Sequence, residues 1–141
     1  MPVPSFATVA EIQEKEFLVA CLCADWCDIC TAYRDSFLAL SAAYDGAAFT
    51  WVDIEDEAER IDDYEVENFP TVLIQRGALV LFYGVLPPPY ATHLKRLLDE
   101  FLAQTPEQSA ADAQSSAEQR GWQKERNLRA LLAAANRGKS K

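Results

Sequence analysis

A continuous apolar run passes directly into a helical pattern, and this junction constrains the fold more than any other part of the sequence. Residues 17–24 read FLVACLCA, which has the length and composition of a strand buried on both faces. Residues 27–44 read as a helix whose apolar stripe comprises Cys30, Tyr33, Phe37, Leu40 and Tyr44. All cysteines of the chain lie at this junction: Cys21, Cys23, Cys27 and Cys30.

Helices and strands alternate along the rest of the chain. A short helix is predicted after Ser5, with Thr8 and Glu11 as an alternative capping box. Later patterns predict a strand over 47–54, an acidic helix over 55–66, a two-stranded hairpin over 71–84 and an amphipathic helix around 94–102. A crossover makes the first two strands parallel, whereas the hairpin is antiparallel. The predicted fold class is α/β, with a mixed central sheet of about four strands flanked by helices.

Charge and composition divide the 141 residues into a body and an extension. We predict a domain over 1–103, a polar linker over 104–116 and a basic, helical or flexible C-terminal extension over 117–141. The body carries 6 Lys and Arg against 18 Asp and Glu, a net charge of −12, and the remainder carries 7 against 4, a net charge of +3. Nucleic-acid binding by the acidic body is not expected, and the basic extension is a candidate for docking on an acidic surface such as 53–67.

The sequence predicts neither export nor membrane insertion. No apolar run approaches the ~20 residues of a membrane span, and no basic region followed by an apolar stretch opens the chain. We therefore expect a protein of the reducing cytoplasm. Closely spaced cysteines in that compartment indicate redox chemistry or metal binding rather than structural disulfides.

The spacing of Cys27 and Cys30 predicts two different roles for them. Cys27 lies in the first turn of the helix, where free N–H groups and the helix dipole stabilise a thiolate. Cys30 lies on the apolar stripe and is expected to be less exposed. Cys27 would attack a substrate disulfide, and Cys30 would resolve the mixed disulfide without any bound cofactor.

The C-x-x-C pair follows Trp26, and an F-P-T motif at 69–71 precedes the hairpin, a combination that resembles the thioredoxin family. The resemblance covers roughly residues 5–103 and includes the order of the elements and Gly84 after the last strand. It implies a thioredoxin-like fold and a thiol–disulfide oxidoreductase. By the same resemblance, the substrates are protein disulfides and a reductase supplies the electrons.

The resemblance also implies a substrate-binding surface beside the cysteines. In the family the proline of this motif is cis and lies against the active-site disulfide, which makes Pro70 the expected cis-proline. The backbone before that proline pairs with the substrate chain, a role that falls here to Phe69. The expected substrate-binding residues are Trp26, Asp28, Ile29, Phe69 and Pro70.

Several positions depart from the family pattern. Asp28 and Ile29 stand where Gly-Pro is usual, and the charge of Asp28 disfavours a thiolate at Cys27. Thioredoxins have a buried Asp that assists proton transfer at the resolving cysteine, and Cys21 occupies that position here. Asp35 replaces the proline that kinks the long helix. These changes bear on the rate and the redox potential more than on dithiol chemistry itself.

Cys21 and Cys23 lie two residues apart on the strand and therefore face the same side. Three interpretations stay open for them: small core residues, an auxiliary thiol that approaches Cys30, or ligands of a four-cysteine metal site. A metal is not expected, because two ligands would have to leave a buried strand. The alternatives to an oxidoreductase are a thioredoxin-like protein-binding module with little turnover and a Cys-rich metal-binding protein.

Overall fold

The centre of the fold is a mixed sheet of four strands, seen in a computed structural model that describes residues 6–24, 27–54 and 70–132. The strands are β1 (Phe17–Cys23), β2 (Ala47–Asp53), β3 (Thr71–Arg76) and β4 (Leu79–Val85). They lie in the order β2-β1-β3-β4, with β1 parallel to β2 and antiparallel to β3. β3 and β4 form the antiparallel hairpin. The predicted mixed sheet of about four strands is therefore confirmed.

Helices cover both faces of this sheet. They are α1 (Val9–Glu14), α2 (Asp28–Leu40), α3 (Tyr90–Ala103), α4 (Pro106–Ala113) and α5 (Ala117–Glu125). A 3₁₀ turn, Ser41–Ala43, continues α2, so the helical pattern predicted over 27–44 is divided into two geometries. The predicted acidic helix over 55–66 lies outside the described residues.

Reciprocal hydrogen bonds fix the start of α1. The Thr8 hydroxyl accepts from the backbone N–H of Glu11 at 3.2 Å, and the Glu11 carboxylate accepts from the backbone N–H of Thr8 at 3.1 Å. Each side chain satisfies an N–H that has no partner inside the helix. The capping box predicted as the alternative is the one that forms.

Side chains alternate along β1 between two buried layers, as the pleat of a strand requires. One face carries Phe17, Val19, Cys21 and Cys23, which pack with buried residues of α2 and α3. The other face carries Leu18, Ala20 and Leu22, which pack with α1 and with the C-terminal residues. All seven residues of β1 are buried, so this strand is the centre of the protein.

The residues after α3 pack against the sheet. Within the predicted linker over 104–116, α4 begins with a Thr105–Gln108 capping box and lies beside β4. α5 also lies beside β4, and residues 128–132 are helical. Leu128 and Leu132 are 0% and 4% exposed in the layer beneath the second face of the sheet. The apolar side chains on that face must be buried from water, and the C-terminal residues bury part of them.

Side-chain amides of buried Gln75 and half-buried Gln123 join the C-terminal residues to the hairpin. Gln75, fully buried in β3, donates to the Asn127 side-chain oxygen at 2.9 Å and accepts from the backbone N–H of Arg129 at 2.8 Å. Gln123 donates to the Val80 carbonyl and accepts from the Val80 N–H, both at 2.8 Å, on the edge strand β4. A buried amide without hydrogen-bond partners lowers the free energy of unfolding by about 1–3 kcal/mol. The stability of the sheet therefore depends on the C-terminal residues that pair with these amides.

Arg129 ties the same segment to α1. Its guanidinium donates to the carbonyls of Ile12, Lys15 and Glu16, the last two at 2.9 and 3.2 Å. Burial lowers the pKa of this guanidinium, which still stays charged at neutral pH because an arginine loses its proton only near pH 12. These contacts are made to main-chain oxygens. Most of the acidic surface proposed over 53–67 lies outside the described residues, so docking there stays a prediction.

Across the described ranges, no helix has both the length and the apolar character needed to cross a bilayer.

The buried position of Leu128 leads to a stability prediction. We expect Leu128→Ala to lower the free energy of unfolding by about 2–5 kcal/mol, because it opens a cavity against the sheet. Leu102→Ala is the matched control, since Leu102 is 38% exposed in α3 and its truncation should change stability by less than about 0.5 kcal/mol. Urea unfolding measures both, and equal stability of the two variants would contradict the packing.

Candidate functional site

The cysteines meet where β1 ends and α2 begins. Cys27 is the N-cap residue of α2, with extended backbone angles and no hydrogen bond from its side chain to the helix. Its N–H donates to the Ala24 carbonyl at 3.0 Å, which closes the turn after the strand. Its carbonyl accepts from the N–H of Thr31 at 3.1 Å, the first bond of the helix. This turn holds the Cys27 thiol beside the unsatisfied N–H groups of the first helical turn.

Exposure separates the two cysteines of the C-x-x-C motif. Cys27 is half-buried and its sulfur is free. Cys30 is 2% exposed and lies on the buried stripe of α2 with Tyr33 and Phe37. A reagent or substrate in solution can therefore approach Cys27 more readily than Cys30.

Cys30 is bonded to Cys23 at the end of β1. The Cα atoms of the two residues are 5.9 Å apart, within the range of about 4.4–6.8 Å that disulfides span. Sequence analysis paired Cys30 with Cys27 through their spacing. The structure instead joins it to a strand residue, which the interpretation of an auxiliary thiol near Cys30 had left open.

Cys21 is the second buried sulfur on β1. Its Sγ lies 3.6 Å from that of Cys23, and the residue is fully buried. Burial raises the pKa of the Cys21 thiol far above its usual range, and the charge of a thiolate at Cys27 would raise it further. Cys21 therefore stays neutral and supplies no negative charge at the position where thioredoxins carry an aspartate.

Tyr33 lies beside this group of sulfurs on α2. Its hydroxyl is buried and has no hydrogen-bond partner among the described residues. Burial raises the pKa of this phenol, and interaction with Cys21 raises it further, so it stays protonated. The Cys21 thiol and the Tyr33 phenol beside the buried cysteines are therefore both uncharged.

Asp28 and Ile29 occupy the exposed side of the first turn of α2. Ile29 is 47% exposed and lines a groove of about 350 Å³ between α2 and the start of α3. Tyr33, Pro89 and Tyr90 form most of the apolar wall. The groove has the apolar lining that a peptide side chain needs, and Ile29 in its wall is two residues from Cys27.

The other predicted substrate-binding residues are described only in part. Pro70 is buried directly before β3, and Thr71 pairs with Leu22 of β1, next to Cys23. Pro70 therefore lies at the same end of the sheet as the cysteines. Trp26 and Phe69 lie outside the described residues, and with them the Phe69–Pro70 bond that sequence analysis expects to be cis. The described cis bond joins Pro88 and Pro89.

A metal site was the third interpretation of the cysteines. In the part of the chain that the structure covers, no group of three or more His, Cys, Asp or Glu side chains is arranged to hold an ion. Cys23 and Cys30, two of the four sulfurs that such a site would use, are joined to each other.

A family model for thioredoxin matches residues 5–83, more than half of the chain. The chain belongs to the thioredoxin family. The match ends inside β4, so α3, α4 and α5 lie beyond it. Membership supports thiol–disulfide oxidoreductase chemistry in general, with protein disulfides as substrates and a reductase as electron donor.

Solved thioredoxin structures share the fold at low sequence identity. Thioredoxin from Trypanosoma brucei brucei superposes with a TM-score of 0.60 and 21% identity, over 73% of this chain and 96% of its own. A mutant thioredoxin from Halobacterium salinarum gives 0.57 and 21%, over 68% and 84%. Thioredoxin from Schistosoma mansoni gives 0.56 and 20%, over 66% and 83%. No curated protein matches the chain in sequence.

Cys23 was not predicted as the bonded partner of Cys30, since either Cys21 or Cys23 could have been the auxiliary thiol. The available signal was the C-x-C spacing on β1, which places Cys21 and Cys23 on the face that α2 covers. That signal does not say which of the two thiols lies nearer Cys30. The packing of α2 on β1 decides it, because it places Cys30 beside Cys23, the last residue of the strand.

The difference in exposure predicts the order of alkylation. In the reduced, folded protein we expect a brief pulse of iodoacetamide to label Cys27 first, because Cys21, Cys23 and Cys30 are buried. Peptide mass mapping measures the order, and the same pulse in denaturant is the control. Preferential labelling of Cys30 in the folded protein would contradict the assigned exposures.

The raised pKa of Cys21 predicts a loss of stability at alkaline pH. An unfolded thiol ionises near pH 8.5, whereas folded Cys21 keeps its proton, so rising pH favours the unfolded chain. Above about pH 8.5 we expect the free energy of unfolding to fall by up to about 1.4 kcal/mol per pH unit more in the chain with Cys21 than in Cys21→Ala.

Urea titrations between pH 7.5 and 9.5 measure this difference. Both chains carry Cys27→Ser and are kept fully reduced, so that no disulfide is present for an ionised thiol to attack. Stability below pH 8 should depend on pH alike in the two chains. Parallel curves over the whole range would contradict a buried, protonated Cys21.

Proposed function

We propose that the protein reduces protein disulfides in the cytoplasm, with Cys27 as nucleophile and Cys30 as resolving cysteine. The observation that carries the proposal is a free, half-buried thiol at the N-terminus of α2, one helical turn before a buried cysteine. Membership of the thioredoxin family supports the same chemistry in general.

The reaction begins from the reduced chain. Cys27 attacks one sulfur of the substrate disulfide, forms a mixed disulfide and expels the first substrate thiol. Cys30 then attacks the Cys27 sulfur, which releases the second substrate thiol and leaves one disulfide in the protein. Two electrons pass to the substrate, and a reductase returns them to the protein in the next cycle.

The surroundings of Cys27 suit a peptide substrate. Exposed Ile29 and the apolar groove between α2 and α3 lie on one side of the thiol, and Pro70 lies at the same end of the sheet. Apolar contact with this surface would orient a substrate disulfide toward Cys27. We include Trp26, Asp28 and Phe69 in the proposed substrate surface because of their positions in the family motifs.

Turnover of a protein disulfide tests the proposal. We expect the wild-type chain to reduce insulin disulfides when dithiothreitol or a thioredoxin reductase supplies electrons. Cys27→Ser should fall to the rate measured without protein, because the serine hydroxyl does not form the mixed disulfide. Unchanged activity in Cys27→Ser would contradict the role of Cys27.

Cys21→Ala is the control for this assay. It removes a sulfur from the same group without touching the C-x-x-C motif, and alanine places no polar atom in the buried layer. We expect its rate to remain near that of the wild-type chain. A chain that captures proteins through its surface but reduces none of them would instead fit the binding-module alternative.

A further inference from the structure

Cys30 has possible partners on two different elements. Cys27, the N-cap residue of α2, precedes it by three residues, and side chains one helical turn apart have Cβ atoms about 5–6 Å apart. Cys23 lies across from it at the end of β1, with the Cα atoms 5.9 Å apart and the sulfurs bonded. A single sulfur forms one disulfide at a time, so Cys27 and Cys23 compete for Cys30.

The two partners differ in their access to solvent. Cys27 is half-buried at the surface, whereas Cys23 is fully buried. A disulfide between Cys27 and Cys30 consumes the thiol that meets substrates. A disulfide between Cys23 and Cys30 leaves that thiol free, which is the arrangement in the structure.

We propose that Cys23 is a second resolving cysteine. It displaces Cys27 from its disulfide with Cys30 and forms a new disulfide with Cys30 in the core. This inference rests on the proposed function, since that reaction first forms the bond between Cys27 and Cys30. The exchange then converts one disulfide into another inside the same chain.

The exchange is balanced without any added oxidant or reductant. The Cys23 sulfur attacks the Cys30 sulfur, the bond between Cys27 and Cys30 breaks, and a bond between Cys23 and Cys30 forms. The proton of the Cys23 thiol is lost and one is gained by the departing Cys27 sulfur, which lies near solvent. The number of thiols and disulfides in the chain does not change.

As a consequence, Cys27 is again a free thiol after the first turnover. An oxidised chain with the buried disulfide still presents a Cys27 thiol, so it attacks a second substrate disulfide and retains it as a mixed disulfide. A chain limited to Cys27 and Cys30 has no thiol left at the surface after one turnover. The difference appears as one additional thiol released per chain.

Cys21 provides the matched control for Cys23. Both residues are fully buried on the same face of β1, two positions apart, and their sulfurs are 3.6 Å from each other. Of these two residues, only Cys23 is bonded to Cys30. Replacing either residue by alanine removes the same atom from the same layer, so a loss of stability common to both variants is separable from a change in disulfide exchange.

The experiment counts the thiols that the reduced, full-length chain releases from excess dithiobis-nitrobenzoate, a chromogenic disulfide. We expect three equivalents per chain for the wild type and Cys21→Ala, with one aryl group retained on Cys27. Cys23→Ala should release two equivalents, a 1.5-fold decrease, and retain no aryl group. Intact mass measures the retained group.

Peptide mapping identifies the disulfide directly, whether or not Cys23→Ala folds. A protease that cleaves before aspartate cuts at Asp25, Asp28 and Asp35, which places the β1 cysteines, Cys27 and Cys30 on three separate fragments. After an acid quench, Cys30 should be linked to the fragment from β1. In Cys21→Ala that fragment holds Cys23 as its one cysteine, so the assignment is unambiguous.

Each result bears on a different claim. Two equivalents from the wild type, with Cys27 linked to Cys30, would overturn the second resolving step and leave the proposed function intact. Three equivalents from Cys23→Ala would assign the step to another thiol and overturn the role of Cys23. No release from any chain would overturn the proposed function and this inference together.

Discussion

Burial of β1 on both faces is the constraint on which the rest of the structure depends. A strand in this position needs a neighbour on each edge and an apolar layer on each face, because its main-chain and side-chain groups are all withdrawn from water. β2 and β3 satisfy the edges. α2 and α3 cover one face, and α1 with the C-terminal residues covers the other. The position of every functional cysteine follows from this arrangement.

The C-terminal residues extend the family fold into a larger unit. The family match ends inside β4, yet Gln75 of β3 has its amide partners on Asn127 and Arg129. Leu128 and Leu132 complete the apolar layer below the sheet. Buried hydrogen bonds and apolar contacts are screened little by salt, so this packing differs in kind from the electrostatic docking that the charge pattern predicts.

An apolar setting gives the buried cysteines their chemical character. Cys21 is buried and neutral, so its thiol adds no charge to the base of the site. Cys23 and Cys30 lie in the same buried layer as Tyr33, whose phenol stays protonated. A disulfide carries no charge, so burying it in this layer costs little free energy. Burying two thiolates would carry a large desolvation penalty. Cys27, at the edge of this layer, is the thiol that substrates can reach.

By itself, the sequence determined the four strands, the helices α1, α2 and α3 and the C-x-x-C motif, because apolar periodicity and capping residues act between positions close in the chain. The stripe of α2, the buried strand β1 and the position of Cys27 at a helix start all follow from such local rules. The bond between Cys23 and Cys30 spans seven residues and two elements, and the turn that brings them together has no periodic signal. The partners of Gln75 lie more than fifty residues away, so only the packed tertiary structure decided them.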